Sequence, residues 1–301
     1  MGSRRPGSIR AVTEPARKIG AREAAKLLHV DEAGSGAPVL LVHGLNASSH
    51  VFAPLVEQAR SRHRLISVDL PCSGGSGDWC EFDPVKLADG LAELMRERRI
   101  PAAVVVGHSY GGVVATELLA RHPRRVKGLV VIAAPALGLG KVGPLLSTSL
   151  AERLWSRTGA AMRSPKLVRT WLRYIRGTPE GLTDALVDRY MQAMAHERHM
   201  AVTLDALRSL ARYRLPVDTL RALKTPRAVI WGDRDRLVPI FQGEQVAHAL
   251  GVPLTLLHEV GHCVPEERPD AVLAAIDGIE RKRRNRANAR KVQRGRSKSA
   301  G

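Results

Sequence analysis

The chain is poor in the residues that would mark several protein classes. Aromatic side chains make up only 4% of its 301 residues, so any core must be built mainly from aliphatic groups. Cysteine occurs three times, at Cys72, Cys80 and Cys263. That odd, sparse set has neither metal-ligand spacing nor a disulfide framework, and it points to a reduced, cytoplasmic setting. No apolar run approaches the roughly 18 residues that would suggest a membrane span. The first residues carry charge but no apolar h-region, so no secretory signal is expected. They begin MGSRRP, and the proline at position 6 breaks the myristoylation pattern.

Acidic residues are missing from one place in particular. Residues 281–301 hold ten Lys/Arg and no acid, for a net +10. Residues 1–26 hold seven Lys/Arg and two Glu, for a net +5. The total is +18, so the 254 residues between carry only +3. The basic character belongs to the ends. Both ends are expected to be loose: 1–26 as a polar, proline-bearing arm and 281–301 as a disordered tail. The tail reads as a solubilising extension or, alternatively, as a site of non-specific electrostatic contact with nucleic acid or anionic lipid, with no sequence-specific recognition.

Between the ends, apolar runs alternate with helical patterns. LLHV (27–30), the turn signal AGSGA and PVLLV (38–42) suggest a strand pair joined by a hairpin-like loop. RLISVDL (64–70), AAVVVG (102–107), VKGLVVIAAP (126–135), PRAVIWG (226–232) and VPLTLLHEV (252–260) read as further strands. Residues 85–99, 112–123 and the segment beginning PDAVLAAIDGIE read as helices. Continuous apolar strands interleaved with helices indicate an α/β fold, with a mostly parallel sheet covered on both faces. Residues 137–215 break the rhythm with four helical patterns and no strand. The expected organisation is therefore a core of 27–136 and 216–280, with 137–215 inserted as a helical cap.

Within VVVGHSYGGVVATELL (104–119), G-x-S-x-G lies between a strand and a helix. At so sharp a turn glycine at 107 and 111 relieves crowding, and Ser109 is exposed at the strand tip before the helix N-terminus. A hydroxyl needs a base, and the base needs an orienter. His262 in HEVGHCVPEERP follows the last apolar strand and can reach over the sheet. AVIWGDRDRLVP supplies the carboxylate: Asp235, further beyond the strand tip, is preferred, with Asp233 the alternative. Developing oxyanion charge needs N–H donors. The backbone of Tyr110, after the serine, is one, and that of Leu45 in LLVHGLN is the other.

Two patterns carry other chemistry badly. GLGKVG (138–143) matches G-x-G-x-x-G, but the chain enters the insertion where a dinucleotide site would require another strand with an acid. It reads as a hinge. AHERHM (195–200) fails H-E-x-x-H, since His196 and His199 are three apart, and it reads as a solvated helix face.

Taken together, HGLN (43–46), VDLPCSGGSG (68–77), GHSYGG (107–112), WGDRDRLVP (231–239) and GHCVPEERP (261–269) resemble the α/β-hydrolase superfamily, specifically its esterase- and lipase-like members with a helical cap. The resemblance covers about residues 27–280. It implies Ser109, Asp235 and His262 as a catalytic triad, the Leu45 and Tyr110 amides as an oxyanion hole, and Glu267 as a structural glutamate. Cys72 stands where such proteins commonly have glycine, and is expected to be a tolerated small residue. Dehalogenases and epoxide hydrolases of this fold carry aspartate at the serine position.

The implied activity is acyl-enzyme hydrolysis of a small to medium, partly apolar carboxylic ester, with no metal and no organic cofactor. A C–C bond hydrolase, thioesterase, amidase or cofactor-free perhydrolase would use the same residues. A non-catalytic binding protein on the same scaffold is the alternative of another class. Specificity is expected from the cap, which carries Trp155, Met162, Trp171, Tyr174, Met191, Met194 and Met200.

Overall fold

In the structure, a computed structural model, residues 19–77, 82–135 and 164–298 are described. The apolar runs form a seven-stranded sheet among these residues, in the order β1-β3-β2-β4-β5-β6-β7. The strands are β1 (Val30–Ala33), β2 (Ala37–Val42), β3 (His63–Val68), β4 (Ala103–His108), β5 (Val126–Ile132), β6 (Arg227–Gly232) and β7 (Leu254–Leu257). Every pairing is parallel except β1 with β3. All six residues of β4 are buried, as is required of a central strand covered on both faces. β1, with Asp31 and Glu32 exposed, occupies an edge.

The expected hairpin between the first two strands does not form. Leu27 ends a helix, the strand starts at Val30, and β1 pairs with β3 instead of β2. The physical reason lies in composition. The Val39–Val42 part of β2 is wholly buried and needs a strand on each side, whereas the charged β1 can serve only as an edge.

Helices α1 (Ala21–Leu27), α2 (Ala53–Ala59), α3 (Pro84–Glu97) and α4 (Tyr110–Arg121) precede the insertion. α3 starts where its pattern predicts. The Asp83 carboxylate accepts from the Val85 and Lys86 N–H groups, and Pro84 fills a position that needs no donor. Within the expected arm of 1–26, the chain from Ala21 instead forms α1, which packs against α3 and buries Ala24 and Ala25. Residues 1–18 lie outside the described residues.

Between β5 and β6 the described chain is helical: α5 (Pro165–Ile175), α6 (Asp184–Ala193), α7 (His199–Arg212) and the short α8 (Val217–Ala222). Within 164–226 no strand is present. The GLGKVG segment, the first helical pattern of the insertion, Trp155 and Met162 lie outside the described residues, as does Cys80. Helices α9 (Ile240–Leu250), α10 (Val264–Glu267) and α11 (Pro269–Lys298) complete the fold.

The tail expected to be disordered from residue 281 instead continues α11 as helix through Lys298. Arg, Lys, Ala and Gln favour helix intrinsically, and no proline interrupts the segment. The first half of α11 buries Val272, Ile276 and Ile279. It packs against α2, β5 and β6, and Asp277 is fixed by Arg62 (2.9 Å) and His63 (3.0 Å). No helix among the described residues is long and apolar enough to cross a membrane.

Candidate active site

The chain leaves β2 for β3 on one side and later returns to β4 on the other. That reversal opens a crevice at the C-terminal strand ends. The loops after β2, β4, β6 and β7 all reach it, carrying Leu45, Ser109, Asp235 and His262 respectively. A cavity of about 290 Å³ lies there, roofed by α5–α7. Ser109, His262, Leu45 and Tyr110 all line it.

Ser109 has φ 53° and ψ −124°, a region that non-glycine residues rarely adopt. The turn is locked from both sides: the Ser109 N–H donates to the Ile132 carbonyl and the Gly112 N–H to the Ser109 carbonyl, each at 2.8 Å. A Cβ on Gly111 would run into the Val42 and His43 carbonyl oxygens, and one on Gly107 into the Gly111 carbonyl. Glycine is what allows β4, α4 and the end of β2 to approach so closely. Such strain costs about 1–3 kcal/mol and persists only when its surroundings over-determine it.

His262 Nδ1 donates to Asp235 Oδ2 at 2.9 Å, with both side chains buried. Asp235 Oδ1 accepts from the backbone N–H groups of Leu237 (2.9 Å) and Val238 (2.8 Å). The carboxylate is thereby held as an acceptor, and the imidazole keeps its proton on Nδ1. Nε2 retains its lone pair. Asp233, the other carboxylate of the motif, instead accepts from the exposed His258 at 2.7 Å. The Ser109 hydroxyl and His262 face the same cavity without a direct hydrogen bond between them.

Among the described residues, neither the Leu45 nor the Tyr110 backbone N–H has an acceptor. The Tyr110 side chain is structural: its hydroxyl donates to the Phe82 carbonyl at 2.8 Å. The loop carrying Leu45 rests on buried His43, whose Nε2 accepts from the Leu70 N–H (2.8 Å) while Nδ1 donates to the Gly44 carbonyl (2.7 Å). Burial lowers the pKa of His43 and keeps it neutral, as this dual role requires. A Cβ on Gly44 would stand 2.7 Å from Ser109 Cβ, so only glycine brings this loop up to the serine.

Several participants are not apparent from motif reading. His108 donates from Nε2 to the His262 carbonyl at 2.8 Å, and its ring lies 4.9 Å from the His262 ring. Burial, reinforced by His262, pushes its pKa down to about 3. His199, expected on a solvated face, is buried. Its Nδ1 meets the Cys72 carbonyl and its Nε2 the Asn46 carboxamide, both at 3.0 Å. Thr203 reaches the same carboxamide at 3.3 Å. Asn46, at φ 57°, directly follows Leu45, so α7 grips the loop that carries one of the N–H donors. The only signal in the sequence was the histidine itself. Cys72 is buried and does not line the cavity, whereas Cys263 does, and both are free thiols.

The insertion also meets the histidine loop. The Gly177 N–H donates to Glu267 Oε2 at 2.8 Å, and the same oxygen takes the Gly261 N–H at 3.3 Å. Glu267 therefore joins the end of α5 to the loop before His262, consistent with a structural role. Arg176 forms a buried ion pair with Glu266 at 2.9 Å. Desolvation pushes Glu266 up to about 7 despite that partner. Of the seven cap residues picked out by composition, Trp171 lines the cavity, while Tyr174 is exposed. Tyr190, Ile175, Leu207 and Leu210 line it as well, placed by helical register. No group of three or more His, Cys, Asp or Glu among the described residues is arranged to hold a metal ion.

Fold and site together define a hydrolase architecture. The sequence profile of the Alpha/beta hydrolase family matches residues 39–275. The chain belongs to that family. Among its relatives is the pimeloyl-[acyl-carrier protein] methyl ester esterase of Chromobacterium violaceum, 31% identical over 237 residues, which are 77% of this chain and 88% of the relative. The 2-(acetamidomethylene)succinate hydrolase of Mesorhizobium japonicum is 27% identical over 263 residues, covering 83% and 90%. A thermophilic esterase from Thermogutta terrifontis shares the fold, with a TM-score of 0.68, 24% identity and coverage of 85% and 93%.

Proposed function

We propose that the chain is a serine hydrolase that cleaves a small to medium, partly apolar carboxylic ester through an acyl-enzyme. The observation carrying this reading is the pairing of a strained Ser109 with the Asp235–His262 couple on one mainly apolar cavity. His262 Nε2 takes the Ser109 proton as the hydroxyl oxygen attacks the ester carbonyl. The Leu45 and Tyr110 N–H groups receive the oxyanion, and Asp235 stabilises the imidazolium. Collapse of the tetrahedral intermediate expels the alcohol, which takes the proton from His262. Water, deprotonated by His262, then attacks the acyl-enzyme, and the acid leaves as Ser109 recovers its proton.

Helices α5–α7 act in this reading as a cap that excludes water and shapes the substrate site. Trp171, Ile175, Leu207, Leu210, Leu237 and Val238 favour an apolar substrate portion. The name of the Chromobacterium relative supports ester chemistry. Free buried thiols at Cys72 and Cys263 accord with a cytoplasmic setting.

Labelling with a fluorophosphonate probe tests the nucleophile. Wild type should label and Ser109→Ala should not, with equal far-ultraviolet circular dichroism. A folded wild type that fails to label overturns the reading and favours a non-catalytic binding protein. Acyl esters of graded length, run beside thioester, amide and C–C substrates, test the bond type. Faster turnover of any other class than of esters replaces the ester assignment.

A further inference from the structure

The second half of α11 takes no part in the site. Beyond Ile279 the helix leaves the core, and residues 281–289 are exposed except for the half-buried Arg283. The helix continues through Lys298. Residues 281–298 span about 27 Å at 1.5 Å per residue. They contain seven Arg, three Lys and no acid. Arg286 donates to the Lys224 carbonyl at 2.8 Å, which draws the exposed Lys224 and its neighbour Arg221 on α8 into the same positive surface.

We propose that this helical extension is a docking surface for the phosphodiester backbone of double-stranded DNA. Ten cations over about 27 Å give one per roughly 2.7 Å, the same scale as the one phosphate per about 1.7 Å of duplex axis. A helix about 10–12 Å across matches the major groove of B-form DNA, about 12 Å wide. Guanidinium groups, which predominate, pair with phosphate oxygens in a planar, bidentate fashion.

The composition also separates this partner from a lipid surface. A helix lying in a membrane interface needs an apolar face. Here Ala287, Ala289 and Val292 are the only apolar residues between 281 and 298. The cations at 282 and 286 are four apart on the helix and repel one another. A polyanion relieves that repulsion. Nothing in the pattern reads base edges, so contact is independent of sequence.

The test uses the full chain and two full-length variants, R281Q/R283Q/R284Q/R286Q and R290Q/K291Q/R294Q/R296Q. Fluorescence anisotropy is measured with duplex DNA and duplex RNA of about 20 base pairs. Binding to phosphatidylcholine–phosphatidylserine vesicles is measured alongside. Wild type should bind a duplex, and its affinity should fall by about 10²–10³-fold between about 50 and 200 mM salt, as expected if about half the cations meet phosphates. Each variant should bind at least about tenfold more weakly at the lower salt, with hydrolytic activity unchanged. The deep, narrow major groove of A-form RNA does not admit a helix, so RNA should bind more weakly than DNA, and tighter binding of RNA overturns the proposal. Absence of duplex binding at low salt, equal binding by wild type and both variants, or tighter binding to vesicles than to either duplex overturns the proposal.

Discussion

The backbone N–H of His262 donates to the carbonyl of Ile175 at 2.7 Å. Ile175 is the last residue of α5, in the insertion, so the histidine is held in part by a segment outside the sheet. Beside this bond, Gly177 and Gly261 pass so closely that neither tolerates a Cβ: one on Gly177 would meet the Glu259 carbonyl and one on Gly261 the Ile175 carbonyl.

Gly177→Ala is therefore expected to lower both stability and turnover. Forcing a methyl into this contact costs about 1–3 kcal/mol, seen as a drop of several degrees in Tm. Displacing the His262 loop by as little as about 1 Å can lower kcat by about 100-fold. Thermal unfolding and ester kinetics check both effects. An unchanged kcat would show that the insertion does not position His262.

Asp235→Asn should lower kcat by about 10⁴-fold with little loss of fold, because the amide no longer enforces the Nδ1–H tautomer of His262. Asp233→Asn should change kcat little, since the Asp233 carboxylate meets the exposed His258 and it is Asp235 that meets His262. Steady-state kinetics of the two variants, compared side by side, distinguish the carboxylates. Equal losses would remove the assignment to Asp235.

Ser109→Gly should abolish hydrolysis and still stabilise the protein. At φ 53° glycine relieves strain of about 1–3 kcal/mol, part of which is offset by about 0.5–1 kcal/mol of added chain entropy in the unfolded state. The expected net gain is about 1 kcal/mol, or a rise of about 2–4 °C in Tm by calorimetry. A lowered Tm would mean that the turn is not strained by its serine.

Stability should fall as pH drops below about 6.5. Burial holds His50 and His108 at about 3 and His199 at about 4, all below their ordinary 6.5. Between those values the unfolded chain binds the protons, so stability rises with pH, by up to about 1.4 kcal/mol per pH unit for each histidine. Glu266, raised from 4.5 to about 7, binds its proton in the folded state and acts in the opposite direction between those values. Three histidines outweigh one glutamate near pH 5. Urea unfolding across pH 4.5–8 should show the acid-side loss, and Glu266→Gln should steepen it. A flat profile would contradict the buried, neutral histidines.

Much of this protein was legible in the order of its residues because the signals are local. Strand β4 and helix α4 follow from an apolar run, two glycines and a helical repeat. Asp235 and His262 follow from their places just past strand ends. What escaped the reading depends on partners distant in the chain. His199 looked like surface because its neighbours are charged, yet the Cys72 carbonyl, 127 residues away, buries it. The register of β1 depends on which strand can accept an edge neighbour, and no local pattern encodes that.

The sequence by itself determined the family, the α/β layering and the candidate serine, histidine and aspartate, since each rests on hydrophobic period or on a short motif with its own turn chemistry. Tertiary structure alone decided which carboxylate meets His262, which helical residues face the cavity, and how the insertion grips the loops that carry Leu45 and His262. Those outcomes are set by close packing and by hydrogen bonds between groups tens to hundreds of residues apart, and such pairings exist only once the chain has folded.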